Sequence, residues 1–366
     1  MGGGIAAVNR LVVQTLIEEG FEVHVFSLNE STSANIPTFI NSSKNTYCTF
    51  SGNKKEFVRT IWHALFTQRF LIVLSDHVNL ASVMAPWAIL RRHRYFVWLC
   101  GIEVFPPRPD FEGTIGLRWA ARCLSISDYT RSKVLERYPK LHIRTCELAL
   151  DPTRTKADLP ETPVQRKLNV CLESADGSMQ PLGEKVVLHV GRMESSERYK
   201  GQETLLNAFS RIHTQFPDVQ LILAGDGDDR AYLLAIARSL PAALQVQIFM
   251  PGYVENDLLN DLYDQCYLFA MPSSGEGFGI VYLEAMAHGK PCLGGRVDAT
   301  PGIVREGVTG CLVDDPRSPA EIAEKVGWLL ARPEEAARMG RAGYELVRSN
   351  YLFCHFKERF LAALAD

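Results

Sequence analysis

The chain has 366 residues, more than one hydrophobic core usually serves, so two domains are expected. Charged residues at 22% and hydrophobic residues at 46% exclude a disordered chain, and no apolar run reaches the ~18–20 residues that cross a bilayer as a helix. The net charge of −3 is uneven: residues 1–160 hold 19 Lys and Arg against 14 Asp and Glu, and the remainder holds 20 against 28.

The opening MGGGIAAVNR has no charged region ahead of an apolar core, so no signal peptide is expected, and Gly2–Gly4 open a helix. Strand-like runs follow at 22–28, 69–75, 95–100 and 122–127, with helical patterns between them. The cluster Arg91-Arg92-His93-Arg94 reads either as a contact for a phosphorylated or membrane-bound partner or as a solvated helix end. Residues 151–184 carry four prolines and many polar residues, which is linker composition. Beyond them, strand-like runs recur at 185–191, 219–225, 245–252 and 267–273, with a helix over 201–216. The last stretch, YLFCHFKERFLAALAD, is an amphipathic helix. Several strands are continuous apolar runs, as in a parallel sheet covered on both faces, so the fold class is α/β with two doubly wound, Rossmann-like domains. The expected boundaries are 1–160 for the first domain, 161–184 for the linker, 185–350 for the second domain and 351–366 for the last helix.

Nine cysteines without a CxxC pair read as free thiols in a reducing compartment. Nine histidines without ligand spacing predict no metal, and HExxH, GxSxG and GxxxxGK[ST] are absent. Glycine and aromatic residues do not interleave as they do in nucleic-acid modules. Chemistry concentrates in the loops that follow the later strands, where ligands sit on open α/β sheets. In SSGEGFGIVYLEAMAHGKP (273–291), Gly275, Gly277 and Gly279 are expected to adopt positive φ and admit a ligand close to the backbone. The helix behind them offers N–H groups to an anion. A carboxylate at Glu284 could accept from a sugar diol, with Glu276 near a second sugar. The alternative is that Glu276 caps the helix and Glu284 faces solvent. In HVGRMESSERYKGQETLL (189–206), Arg192 follows a strand and Lys200 precedes a helix, two cations able to stabilise a departing diphosphate without a metal. GDGDD (225–229) reads as a strand-to-helix turn with an Asp cap.

These residues together resemble the retaining GT-B glycosyltransferases whose marker is E-x7-E. The resemblance runs over nearly the whole chain and is strongest in GR…KG (191–201), GDG, PGYV (251–254), EGFGIVYLEAMAHGKP, GGRVDATPG (294–302) and GVTGCLV (307–313); GGIAAVN, CGIEVF (100–105) and SISDYTRSKV (125–134) extend it forward. It implies a GT-B fold, two domains facing a central cleft, and sugar transfer with retention. Arg192 and Lys200 would bind the donor diphosphate, and Glu284 the ribose. Glu276 with the amides of Gly277, Phe278 and Gly279 would meet the donor sugar and phosphate, and backbone at Tyr253 and Val254 would read the base. Gly3 and Gly4 would close on the diphosphate, Glu103 would position sugar or acceptor, and the last helix would cross back to the first domain. No cofactor or metal is implied. The partners are a nucleotide-sugar donor and a glycan or lipid-linked acceptor, with peripheral contact to an anionic membrane and no nucleic acid. The location is cytoplasmic, at the inner membrane face. Relatives carry a strand ahead of the glycine loop, so a gap is expected in the middle of the N-terminal sheet, and Cys100 stands where they often have histidine. The other readings are an impaired nucleotide-sugar-binding protein, a phosphorylase and a nucleotide-sugar epimerase.

Overall fold

The computed structural model describes residues 4–30, 44–101, 104, 116–152, 159–163 and 169–365. The chain divides into two compact units, Met1–Asp151 with Phe353–Asp366, and Pro152–Leu352.

Unit 1 begins with α1 (Gly4–Glu18), whose Val8, Leu11 and Val12 face the interior. β1 (His24–Ser27) and β2 (Thr46–Thr49) pair in parallel as a two-stranded sheet. α2 (Lys54–Thr67) starts where the Asn53 side chain accepts from the Glu56 N–H, and it buries Phe57, Ile61, Ala64 and Leu65. β3 (Ile72–Ser75), α3 (Val78–Leu90), β4 (Arg94–Leu99), β5 (Arg122–Ser125), α4 (Asp128–Arg137) and β6 (Ile143–Thr145) follow. Strands β3 to β6 form a parallel sheet in chain order. β4 is its apolar centre, with Tyr95 to Leu99 all buried.

β1 and β3 belong to different sheets, and a cavity of about 250 Å³ separates them, walled by β1, β3, α1 and α2. Its lining includes Val12, Val25, Ile61 and Val73.

The final helix, α12 (Phe353–Ala365), belongs to unit 1. Its Phe356 and Phe360 stack against the buried Trp98 of β4 at ring separations of 6.3 and 6.0 Å. Arg94, Arg122 and Arg144, at the N-terminal ends of the adjacent strands β4, β5 and β6, donate to the carbonyls of Leu364, Ala363 and Ala362. Cations thus satisfy the exposed carbonyls at the negative end of the helix. Arg94 of the basic cluster is therefore structural, and so is His93, whose ring bonds the Phe70 and Leu65 carbonyls. The helix starts two residues later than expected because Tyr351 packs on Phe278 in unit 2.

Unit 2 opens with an antiparallel pair, β7 (Cys171–Glu173) and β8 (Met179–Pro181). The linker expected over 161–184 is corrected here. Residues 169–184 contain this hairpin, which is tied to the main body where the Ala175 N–H donates to the Ile248 carbonyl. The six-stranded sheet has the order β11 (Ile248–Gly252), β10 (Gln220–Ala224), β9 (Val186–Val190), β12 (Leu268–Met271), β13 (Cys292–Gly295), β14 (Gly310–Val313), all parallel. The reversal between β9 and β12 creates a switch point, and the loops beyond the C-terminal ends of these strands are the natural place for a ligand. The helices are α5 (Gln202–Gln215), α6 (Arg230–Ser239), α7 (Ala242–Gln245), α8 (Asn256–Gln265), α9 (Ile280–Ala287), α10 (Pro319–Leu330) and α11 (Pro333–Asn350). The run 245–252 is only partly strand, because residues 242–245 take a helical turn first.

Candidate functional site

The site is built from loops on either side of the switch point. β9 leads through Gly191 and Arg192 into a 3-10 turn over Ser195–Lys200 and then α5. β12 leads through the glycine loop into α9. These loops meet at Lys200, whose Nζ lies 2.6 Å from Glu276 Oε1 and 3.9 Å from Glu197 Oε2. Glu197 also pairs with Arg192. Burial opposes the charge of Lys200, but the pull of Glu276 and Glu197 outweighs it, so its pKa is raised and it remains an ammonium. The Arg192 side chain is 50% exposed, against 14% for Lys200 and Glu276, so the guanidinium is the cation available to an incoming anion.

Backbone packing fixes these loops. Gly225 and Gly227 have φ of 146° and 154°, and a Cβ there would meet the Gly191 and Met193 carbonyls at 1.9 and 2.3 Å. The GDG run is therefore the backbone on which the Arg192 loop rests, through Met193 N–H to the Asp226 carbonyl. Asp229 makes no cap bond. It accepts instead from Arg198 at 2.8 and 2.5 Å, which corrects the expected Asp cap. The buried His189 reaches the Lys200 carbonyl through Nε2 at 3.2 Å, and Gln202 donates to the Arg192 carbonyl at 2.9 Å. Burial pushes the His189 imidazole down to about 4, so it sits neutral beneath the lysine.

In the glycine loop only Gly279 has positive φ, 94°, which corrects the expectation for Gly275 and Gly277. Gly275 is needed for close approach instead, since a Cβ would come within 2.8 Å of the Tyr199 ring. Glu276 does not cap α9; Gly279 occupies the N-cap position and no side chain bonds there. The loop is held by Asp298, a buried carboxylate that accepts from Ser273 Oγ at 2.6 Å, the Glu276 N–H at 2.8 Å and the Thr300 N–H at 2.9 Å. Burial pushes the Asp298 carboxyl above its ordinary value, while these hydrogen bonds pull it down.

Glu284, on α9, is only 5% exposed and accepts from the Tyr263 hydroxyl at 2.9 Å. It is not the solvent-facing residue of the alternative reading. Tyr253, after β11, is 57% exposed, and Val254 is buried beside it. Phe278 is buried against Tyr351. Gly4 opens α1 in unit 1, and Gly3 and Glu103 lie outside the described residues. Cys100 points its thiol at the Asp76 carbonyl, 3.7 Å away. No group of three metal-ligating side chains occurs among the described residues, and no helix there is long and apolar enough to cross a membrane.

The structure thus joins Arg192, Lys200 and Glu276, and it adds Glu197, Tyr199, Asp298, Tyr263 and His189. Glu197 stands three residues before Lys200, a spacing that pairs side chains on one helical face. Asp298 lies inside GGRVDATPG without any local mark of its role. Tyr263 is 21 residues from Glu284, and nothing in the sequence links them.

Against known proteins, the profile of the glycosyl transferases group 1 family matches residues 174–346. A GDP-mannose-dependent alpha-(1-6)-phosphatidylinositol monomannoside mannosyltransferase of Mycolicibacterium smegmatis is 37% identical over 159 residues, covering 42% of this chain and 41% of that protein. Trehalose synthase of Pyrococcus horikoshii is 25% identical, covering 99% of this chain and 87% of that one. Among the relatives matched, the chain thus spans less than half of the mannosyltransferase and most of the trehalose synthase. Anabaena HepE, crystallised with UDP and glucose, superposes with a TM-score of 0.76 at 16% identity, covering 100% of this chain and 96% of that one. Sucrose-phosphate synthase of Thermosynechococcus elongatus gives 0.74 at 20%, with 100% and 93% covered. The fold is that of the GT-B glycosyltransferases, and residues 174–346 match the glycosyl transferases group 1 family.

Proposed function

We propose that this protein moves a sugar from a nucleotide-diphosphate-sugar to a glycan, glycolipid or lipid-linked acceptor in envelope or exopolysaccharide synthesis. Transfer retains the anomeric configuration and takes place on the cytoplasmic side, at an anionic membrane surface. The observation that carries the reading is the Lys200–Glu276 pair at 2.6 Å, with Arg192 beside it, at the C-terminal edge of a parallel sheet. Cleaving a sugar–phosphate bond puts negative charge on the leaving diphosphate. Lys200 offers a fixed, always-charged ammonium there, and Arg192 a forked donor with exposed N–H groups. Glu276 holds Lys200 in place before the donor arrives and, once the diphosphate takes the lysine, is free to accept from sugar hydroxyls. The glycine loop supplies the amides of Gly277, Phe278 and Gly279 at the positive end of α9. Glu284 is the acceptor for the ribose diol, oriented by Tyr263. Backbone at Tyr253 and Val254 borders the base.

The test is thermal shift of the purified chain with UDP, GDP, ADP and dTDP, beside Glu284→Gln. Glutamine keeps an acceptor for the Tyr263 hydroxyl, whereas alanine would strand it at ~1–3 kcal/mol. A rise of several degrees with one nucleotide, lost in the variant while its unliganded Tm is kept, supports the reading. No rise with any nucleotide in a cooperatively melting protein overturns it.

A further inference from the structure

The 3-10 turn over Ser195–Lys200 carries Glu197 and Lys200 into the site, yet it has little of its own to hold it there. None of its six residues is fully buried, and Glu197 breaks its helical geometry with φ of −118°. Hydrogen bonds in such turns are poorly aligned, so the turn must be fixed from outside. Three residues per turn place side chains i and i+3 on one face. Glu197 and Lys200 therefore share the face that meets Arg192 and Glu276. Ser195 and Arg198 share another, and the loop after β10 grips both. The Ser195 N–H and Oγ donate to Asp228 at 2.6 and 2.8 Å. Arg198 forks onto the buried Asp229 through Nε and Nη2, at 2.8 and 2.5 Å. Its guanidinium also lies 4.3 Å over the Tyr232 ring of α6.

Asp229 stands at the N-cap of α6, where an aspartate ordinarily accepts from the first N–H groups of the helix, and it makes no such bond. Its carboxylate is turned to Arg198 instead. A forked guanidinium fixes direction as well as distance, which a single ammonium contact does not. The next residue, Tyr199, seats the turn on the glycine loop. Its carbonyl accepts from the Ser274 N–H at 2.9 Å, and its ring packs where Gly275 has no Cβ. The turn is thus fixed in rotation at Arg198 and in depth at Tyr199, and Lys200 follows directly. We propose that Arg198 and Asp229 are positioning residues for the diphosphate: their fork sets the rotation of the turn, and so where the Lys200 ammonium stands, without touching the donor. This role rests on the nucleotide-sugar reading of the site.

The experiment is titration calorimetry of the full chain with UDP, GDP, ADP and dTDP and with the four corresponding monophosphates. A monophosphate lacks the outer phosphate, where the leaving-group charge develops. The variants are Arg198→Ala, Asp229→Asn, the two combined, and Arg198→Lys, which keeps a cation beside Asp229 if the others fail to fold. Val326→Ala, in the buried face of α10, serves as a destabilised control. Far-UV circular dichroism and Tm check that each variant folds. The wild type should bind one diphosphate more tightly than its monophosphate. Arg198→Ala and Asp229→Asn should each weaken diphosphate binding about tenfold, the usual weight of one charge-assisted contact, and leave monophosphate binding unchanged. The combined variant should be no weaker than either single one, because each already removes the whole fork. Arg198→Lys should fall between these and the wild type. Val326→Ala should lower Tm and keep both affinities. Equal loss of monophosphate affinity, undiminished diphosphate binding by the folded variants, additive losses in the combined variant, or the same diphosphate loss in Val326→Ala would each overturn the proposal. A wild type that binds no nucleotide removes the transferase reading and this role with it. A wild type that binds a diphosphate no better than the variants do removes only the role of the fork.

Discussion

At the scale of residues, Arg192 and Lys200 looked alike in sequence and are different in place. Arg192→Ala removes a half-exposed cation and should cost ~2–4 kcal/mol in kcat/KM with almost no change in Tm. Lys200→Ala should lower both, because Glu276 and Glu197 lose their partner in a poorly hydrated position. Adding Glu276→Ala should restore part of the lost stability and none of the activity. The check is Tm and kcat/KM for the two single variants and the double. Equal Tm loss in Arg192→Ala and Lys200→Ala would contradict the burial difference. His189 gives a pH signature. Its folded pKa is about 4 against an ordinary 6.5, so protonation is disfavoured in the fold. That contribution is complete above about 6.5 and is lost as pH falls toward about 4, for a total of ~3 kcal/mol. His189→Gln, which keeps a donor for the Lys200 carbonyl, should flatten that part of the denaturation-versus-pH curve. A wild-type curve and a variant curve that stay parallel from neutral pH to about 4 would sink the assignment.

At the scale of elements, strands were the most legible feature, since buried parallel strands are continuous apolar runs and stand out without partners. β9, β10 and β12 all fall within the runs at 185–191, 219–225 and 267–273. Hairpin β7–β8 was not legible: CLE and MQP have no β-rich character, and their pairing is imposed by the neighbouring edge strand β11, where Ser174 bridges Phe249. The facing edges of β1 and β3 belong to different sheets. Their alternate amides that point into the cavity should exchange hydrogen with solvent far faster than those of Tyr95–Leu99, which β3 and β5 flank on both sides. Hydrogen exchange resolved by residue reads this directly. Protection in β3 as uniform as in β4 would mean that the edge is satisfied in solution.

At the scale of the molecule, the sequence by itself determined the α/β class and the motif loops, while the division of the chain falls at Asp151/Pro152 instead of the expected 160. The class and the loops follow from local signals: apolar runs, proline and glycine placement, and cations beside strand ends. Tertiary structure alone decided which charges meet. Lys200 and Glu276 are 76 residues apart, and they become partners because β9 and β12 are neighbours at the switch point of the sheet. Asp298 became the anchor of the Glu276 loop for the same reason, arriving from β13 on the other side of β12. The basic cluster divided in a way that no local pattern records: Arg94 and His93 bond to carbonyls, and Arg91 and Arg92 stayed exposed, Arg91 over the Phe66 ring. Strand order and helix packing are long-range choices, set by how apolar faces are buried together, and a side chain's partner is known only once those choices have been made.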